Sequence, residues 1–156
     1  MSDVEIDGYY QGVVTTPRKL EVQFLPSSTK RKVMHKDQGN VGEAAAILYF
    51  VQAGYKISKP LFENIPYDLI VDKDGVLCRV QVKSSSSKNK YGNYQIELRT
   101  KGGNKSWGGV VKLVDATGCD LLFVYCADST KFIIPVGVFD GQGRLSLGKK
   151  YLEYRV

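Results

Sequence analysis

Histidine is nearly missing from these 156 residues: His35 stands alone. With no second imidazole, a histidine-rich zinc site or a histidine-based nuclease motif is excluded, and any metal chemistry must rest on oxygen ligands. Cysteine is scarce too. Cys78, Cys119 and Cys126 are odd in number, lie in or beside strand-like runs and form no close metal-type pair, so they read as buried reduced thiols without a disulfide. Long apolar stretches are absent. Hydrophobic residues make up 43% of the chain, yet no run approaches the roughly 20 residues that span a bilayer. The start of the chain is acidic and polar, unlike a signal peptide, and an intracellular, cytoplasmic protein is expected. There is no internal repeat, and nothing of low complexity beyond the serine run 84–87.

What is present in excess is positive charge, +6 in all, unevenly spread. Residues 1–16 carry three acids and no base, whereas residues 17–36 carry Arg18, Lys19, Lys30, Arg31, Lys32 and Lys36 against Glu21 alone. Such a basic segment fits an anionic partner or a solubilising surface. At 17.4 kDa the chain is long enough to bury a core as one domain without disulfides.

Taken in order, Gly12 to Thr16 and Leu20 to Leu25 read as a small N-terminal hairpin around Pro17-Arg18-Lys19, and residues 26–29 as a linker. A helix is predicted from the Gly39-Asn40 region to Gly54, with Asn40 as its cap and Glu43 in its first turn, where a carboxylate suits the helix dipole. Tyr55 to Pro60 reads as an edge strand. Further on, residues 94–99 alternate strictly as a half-exposed strand, and residues 101–109 form a glycine-rich loop with Lys101, Lys105 and Trp107. Val110 to Asp115 is expected to be a short helix. Residues 119–126 and 132–136 read as two strands joined by a turn at 128–130, and the end of the chain as a polar, basic hairpin or surface tail.

The informative stretch is Pro66 to Lys83. Leu69-Ile70-Val71 is a buried-strand run, Asp74-Gly75 is a two-residue hairpin signal, and Val76 to Val82 is the return strand. If Asp74 and Gly75 are the central turn residues, Asp68 lies opposite Gln81. Side chains alternate, so Asp68, Arg79, Gln81 and Lys83 share one face, while Leu69, Val71, Cys78, Val80 and Val82 share the other. The second face is core and the first chemical. Opposed Cβ atoms sit about 5 Å apart, which lets Asp68 and Gln81 grip one cation beside Lys83.

An acid on an early helix, a strand opening with Asp and a hairpin returning Gln-x-Lys resemble the PD-(D/E)XK nuclease superfamily, on Glu43, Pro66-Tyr67-Asp68 and Gln81-Val82-Lys83. The sequence is most similar to the small PD-(D/E)XK homing endonucleases of group I introns, across 39–54, 66–84 and 120–136. One departure stands out: Gln81 occupies the usual position of Glu or Asp, though Gln occurs there in some members.

The resemblance implies an α/β (α+β) restriction-endonuclease-like core, a mixed sheet of about five strands with a long helix carrying the acid. It divides the chain into an N-terminal extension at 1–36, a nuclease core at 37–137 and a C-terminal strand or tail at 138–156. It implies catalysis by Glu43, Asp68, Gln81 and Lys83. Mg²⁺, with Mn²⁺ as substitute, would be held by Asp68, Gln81, the Val82 carbonyl and, through water, Glu43. Lys83 would orient or deprotonate the attacking water. The partners implied are double-stranded DNA and further copies of the chain, as a homodimer or homotetramer. Lys88, Lys90, Arg99, Lys101, Lys105, Lys30, Arg31 and Lys32 are the candidate DNA contacts. The expected function is a metal-dependent, site-specific homing endonuclease. A Holliday-junction resolvase-like nuclease and a catalytically silent nucleic-acid-binding module are the alternatives.

Overall fold

The computed structural model describes residues 35–62, 65–101 and 111–156, all within the unit Val33–Val156. The N-terminal hairpin, the basic run 30–32 and the glycine-rich loop with Lys105 and Trp107 lie outside the described residues. No helix among the described residues is long and apolar enough to cross a membrane.

Helix α1 runs His35–Gln52, starting earlier than its capping signals suggest. Asn40 is therefore an exposed residue inside the helix, and Glu43 lies in the third turn rather than the first. Gly39 and Asn40 are weak helix formers, each costing up to about 1 kcal/mol relative to Ala. That cost is offset by burial further along, where Ala46 and Phe50 are shut into the sheet. The end was legible: Gly54 takes a positive φ of 83°, and Tyr55 N–H returns to the Phe50 carbonyl at 2.9 Å.

Strands β1 (Lys56–Ser58), β2 (Leu69–Lys73), β3 (Val76–Ser85), β7 (Leu121–Cys126) and β8 (Lys131–Pro135) form a five-stranded sheet in the order β1-β2-β3-β7-β8. The β3–β7 pair is parallel and the other pairs are antiparallel. The β2–β3 hairpin has the expected register, Leu69 opposite Val80 and Lys73 opposite Val76. Asp74 (φ 55°) and Gly75 (φ 83°) are its two turn residues, and the Asp72 carboxylate accepts the Gly75 N–H at 3.0 Å. Two positive φ values in succession are what a type I′ turn demands, which is why Asp-Gly fixes this register.

Two small ladders complete the molecule. Strand β4 (Gln95–Glu97) pairs with β9 (Arg144–Ser146), and β5 (Arg99–Lys101) pairs with β6 (Val111–Leu113). The segment expected as a short helix is thus a strand. Val110-Val111-Lys112-Leu113-Val114 also carries a period of two, and the partner at 99–101 decides for it.

Each face of the sheet carries its own core. On one face α1 covers Leu69, Val71, Val80, Val82 and Phe123 with Ala46 and Phe50, and Phe50 lies edge-on to Tyr49 and Tyr55. On the other face Leu122, Val124, Phe132 and Ile134 pack under Ile96, Leu98, Phe139, Leu145, Leu147 and Tyr151. The end of the chain is accordingly not a surface tail: it supplies β9 and, from the 3-10 helix Lys149–Tyr154, the buried Tyr151. The expectation of one core face and one chemical face holds only on β2 and β3, because across β7 the face bearing Gln81 and Lys83 becomes the second core.

Candidate active site

Asp68 immediately precedes β2, and its N–H donates to the Val80 carbonyl at 2.9 Å. This anchors the backbone and turns the carboxylate across β3. There Oδ2 accepts the Val82 N–H at 2.6 Å and Gln81 Nε2 at 2.5 Å, while Gln81 Nε2 also reaches the Val82 carbonyl at 3.3 Å. Asp68, Gln81 and Val82 therefore form one connected cluster, as the hairpin register requires. Both hydrogen bonds fall on Oδ2.

Glu43 and Lys83 complete the surroundings. A cavity of about 280 Å³ is lined by Gln38, Gly39, Glu43, Asp68, Val82, Lys83 and Ser84, so the helix and the hairpin contribute opposite walls. Their close approach depends on Gly42: a Cβ there would collide with Ser84 Oγ. Ser84 Oγ is itself shut away from solvent with no hydrogen-bond partner among the described residues. A second cavity of about 440 Å³ adjoins the first through Glu43 and Asp68. Its remaining walls are Lys59, Pro60, Leu61, Phe62, Ile65 and Tyr67.

The electrostatics of this cluster are unfavourable to its charges. Burial raises the Asp68 pKa above the ordinary carboxylate value, the Val82 N–H opposes the rise, and the negative charge of Glu43 adds to it. Burial also lowers the Lys83 pKa, against the attraction of Asp68. Half-buried groups whose charged forms are both penalised, on one cavity, are the pattern of a site arranged for chemistry rather than stability.

Lys59 is the residue that the sequence did not reveal. Its Nζ lies 2.7 Å from Glu43 Oε2, just past the end of edge strand β1. Nothing in Lys56-Ile57-Ser58-Lys59 distinguishes it from any surface lysine until the sheet order places β1 beside β2.

The other predicted residues lie elsewhere. Arg79, assigned to the chemical face, is held by Asp120 through two guanidinium contacts of 2.8 and 3.1 Å, and it also bonds the Thr117 carbonyl at 2.9 Å. Lys88 lies over the Tyr94 ring at 4.3 Å, with Asp128 at 3.9 Å, and Lys90 lies over Tyr91 at 5.0 Å. Arg99 and Lys101 are on β5. Arg79, Lys88, Lys90 and Arg99 do not line the cavity. Lys105, Lys30, Arg31 and Lys32 are outside the described residues. Cys119 and Cys126 are buried free thiols, their pKa values pushed by burial up to about 11 and about 12. Neither is an active nucleophile.

The donors suit a hard divalent cation. Asp68 presents a half-buried carboxylate beside a second carboxylate, the Val82 carbonyl faces the same cluster, and the Gln81 amide offers Oε1 once turned over. Among the described residues no group of three or more His, Cys, Asp or Glu side chains could hold a metal. Asp68 and Gln81 bring one carboxylate and one amide to the hairpin side of the site.

A family profile described as PD-(D/E)XK endonuclease matches residues 33–147. The solved structure of a bacterial homing endonuclease, I-Ssp6803I, superposes with a TM-score of 0.68 at 29% identity, covering 78% of this chain and 88% of that one. No curated protein sequence matches.

Proposed function

The chain belongs to the PD-(D/E)XK endonuclease family, and from that premise we propose that it is a divalent-metal-dependent, site-specific homing endonuclease that cuts double-stranded DNA. The observation that carries the proposal is the Asp68–Gln81–Val82 cluster on a cavity shared with Glu43 and Lys83. PD-(D/E)XK nucleases generally use divalent metal ions, and here Asp68, the Val82 carbonyl and Gln81 would hold Mg²⁺, with Glu43 bound to it through water. The cation supplies Lewis-acid polarisation of the phosphate and a more acidic water.

The chain's own groups do the rest. Lys83, on the cavity wall, holds the attacking water and offsets negative charge growing on the phosphate. Its lowered pKa makes it a readier proton donor and acceptor than a surface lysine. Water oxygen bonds to phosphorus as its proton passes by way of Lys83 to solvent, the bond to the leaving sugar oxygen breaks, and that oxygen takes a proton from solvent water. The Asp68 carboxylate stays fixed by the Val82 N–H throughout. Lys88, Lys90, Arg99, Lys101 and Lys105, with Lys30, Arg31 and Lys32, supply the contacts to the DNA backbone. One chain holds one such site, so cutting both strands in one binding event requires at least a dimer related by a twofold axis.

Incubating the protein with duplex and four-way-junction DNA in Mg²⁺, with an EDTA control, tests this reading. Cleavage of duplex DNA that EDTA stops is expected, together with a solution mass at least twice 17.4 kDa. Preferential cleavage of the junction would instead make the chain a resolvase. Binding without cleavage in any divalent metal would make it a silent module.

A further inference from the structure

Among the described residues, Glu43 is the one site carboxylate in an ion pair. Lys59 Nζ lies 2.7 Å from Glu43 Oε2, and the pair is half open to solvent, the side chains being 54% and 35% exposed. Both residues line the second cavity together with Asp68. Glu43 also lines the first cavity with Asp68 and Lys83, while Lys59 does not. The ammonium therefore approaches Glu43 from the side away from Lys83. Lys59 also acts on Asp68, favouring its ionised form, whereas Glu43 disfavours it. With no other bonded partner for the Glu43 carboxylate among the described residues, a positive charge held there keeps two neighbouring carboxylates compatible.

We propose that Lys59 is a positioning residue that occupies Glu43 as a built-in counter-ion and must yield that carboxylate before a divalent cation is bound tightly, which frees its ammonium to meet the DNA phosphate entering beside the second cavity. The inference rests on the metal-dependent reading of the site. Physical chemistry gives it a direction opposite to that of an ordinary supporting residue. A unit positive charge a few ångströms from a cation site repels the incoming ion, and it occupies an oxygen that the ion's hydration shell would use. Removing a residue that merely supports the site weakens metal binding. Removing this one strengthens it.

The exposed, flexible side chain makes the exchange easy. Ion pairs this open contribute little to stability, so breaking one in favour of a divalent cation meets no large opposing energy. The released ammonium remains tethered to β1, on the side of Asp68 remote from Lys83.

Mn²⁺ titration followed by electron paramagnetic resonance, which reads free ion directly, tests the proposal on the full chain without DNA. For the native protein a bound ion is expected that Asp68→Ala abolishes. If no ion binds to the native protein, the metal-dependent reading itself fails. If the ion binds, Lys59→Met is expected to tighten it roughly tenfold, and Lys59→Arg to leave it within about twofold. In a Glu43→Gln background the Lys59→Met gain should shrink, because the part of the lysine's effect that acts through that carboxylate is gone and only its direct repulsion of the ion is left. In single-turnover cleavage Lys59→Met should raise the apparent DNA Kd. Unchanged or weaker Mn²⁺ binding in Lys59→Met, with native circular dichroism, would overturn the proposal while leaving the Asp68 site standing.

Discussion

Strand β3 carries two acid–base clusters two residues apart, and they differ in kind. At Arg79 the guanidinium grips Asp120 twice, the Arg79 N–H donates to the same carboxylate at 2.7 Å, and a backbone carbonyl takes a further hydrogen. These bonds lower the Asp120 pKa and raise that of Arg79, so each holds its charge more firmly than in water. At Gln81 and Lys83 the directions reverse. Asp68 is pushed up and Lys83 down, burial being the first cause for both. A satisfied, solvent-touched pair ties β3 to the start of β7, while a desolvated cluster nearby is left wanting counter-charge. The same strand thus separates adhesion from chemistry by one alternation of side chains and a difference in burial.

Substitution should separate the two most sharply in cleavage. Asp68→Ala or Lys83→Ala is expected to lower the cleavage rate by at least about a thousandfold, with DNA binding still measurable by gel shift, because phosphate contacts elsewhere carry most of the affinity. Asp120→Ala should leave the rate near native at low temperature. Loss of cleavage there, with the fold intact, would erase the distinction. Gly42→Ala tests the cavity wall: forcing α1 away from Ser84 displaces Glu43 from Asp68, and a loss on the order of 10- to 100-fold is expected at native helix content.

Acid separates them by sign. Asp68 has a raised folded pKa, so its protonated form is retained in the folded state to higher pH, and whatever it contributes to stability falls as pH rises through the window above about 3.9. The Asp120 contribution runs the other way. It is present above the ordinary carboxylate value and is lost as pH falls through the depressed one. In the metal-free protein Asp68 should therefore take up its proton at a pH above that of an unperturbed carboxylate, while Asp120 still holds Arg79. Melting midpoints of the metal-free protein measured across about pH 2 to 8 check both limbs.

Smaller still are the thermal effects. Asp68→Asn removes a penalised charge and should raise the melting midpoint at neutral pH by roughly 2–4 °C, whereas Asp120→Ala should lower it by a similar amount. Gln81→Glu restores the family's usual carboxylate and is expected to retain Mn²⁺ binding and folding. The smallest expected change is in salt dependence. Lys88→Ala should lower the magnitude of the log–log slope of DNA affinity by about one, without altering cleavage at saturation.

Much of this arrangement is legible in the chain because it is local. Asp74-Gly75 dictates a two-residue turn, the turn dictates the Leu69–Val80 register, and the register brings Asp68 to Gln81. Glu43 could be picked out as an acid on the early helix, but not its turn, since Asn40 has the character of a cap and helix packing overrides it. The second core was hidden for a different reason. Leu145, Leu147 and Tyr151 are scattered among polar residues, and only pairing with β4 and packing under β7 and β8 make them interior. Lys59 was invisible because its meaning depends on β1 being hydrogen-bonded to β2 rather than on anything in its own neighbourhood.

The mixed sheet has a consequence for the order in which the molecule assembles. Strand β3 meets β2 across two residues but meets β7 only across the long interval from Ser85 to Leu121. Closing that interval costs more chain entropy than closing the turn, and contacts so distant in sequence form slowly. The hairpin half of the site, Asp68 against Gln81, needs nothing beyond the turn. The burial that depresses Lys83 waits for β7 and the second core to arrive. A refolding chain should therefore acquire its Asp68–Gln81 pair before its perturbed lysine, gaining the means to hold a cation before the means to use one.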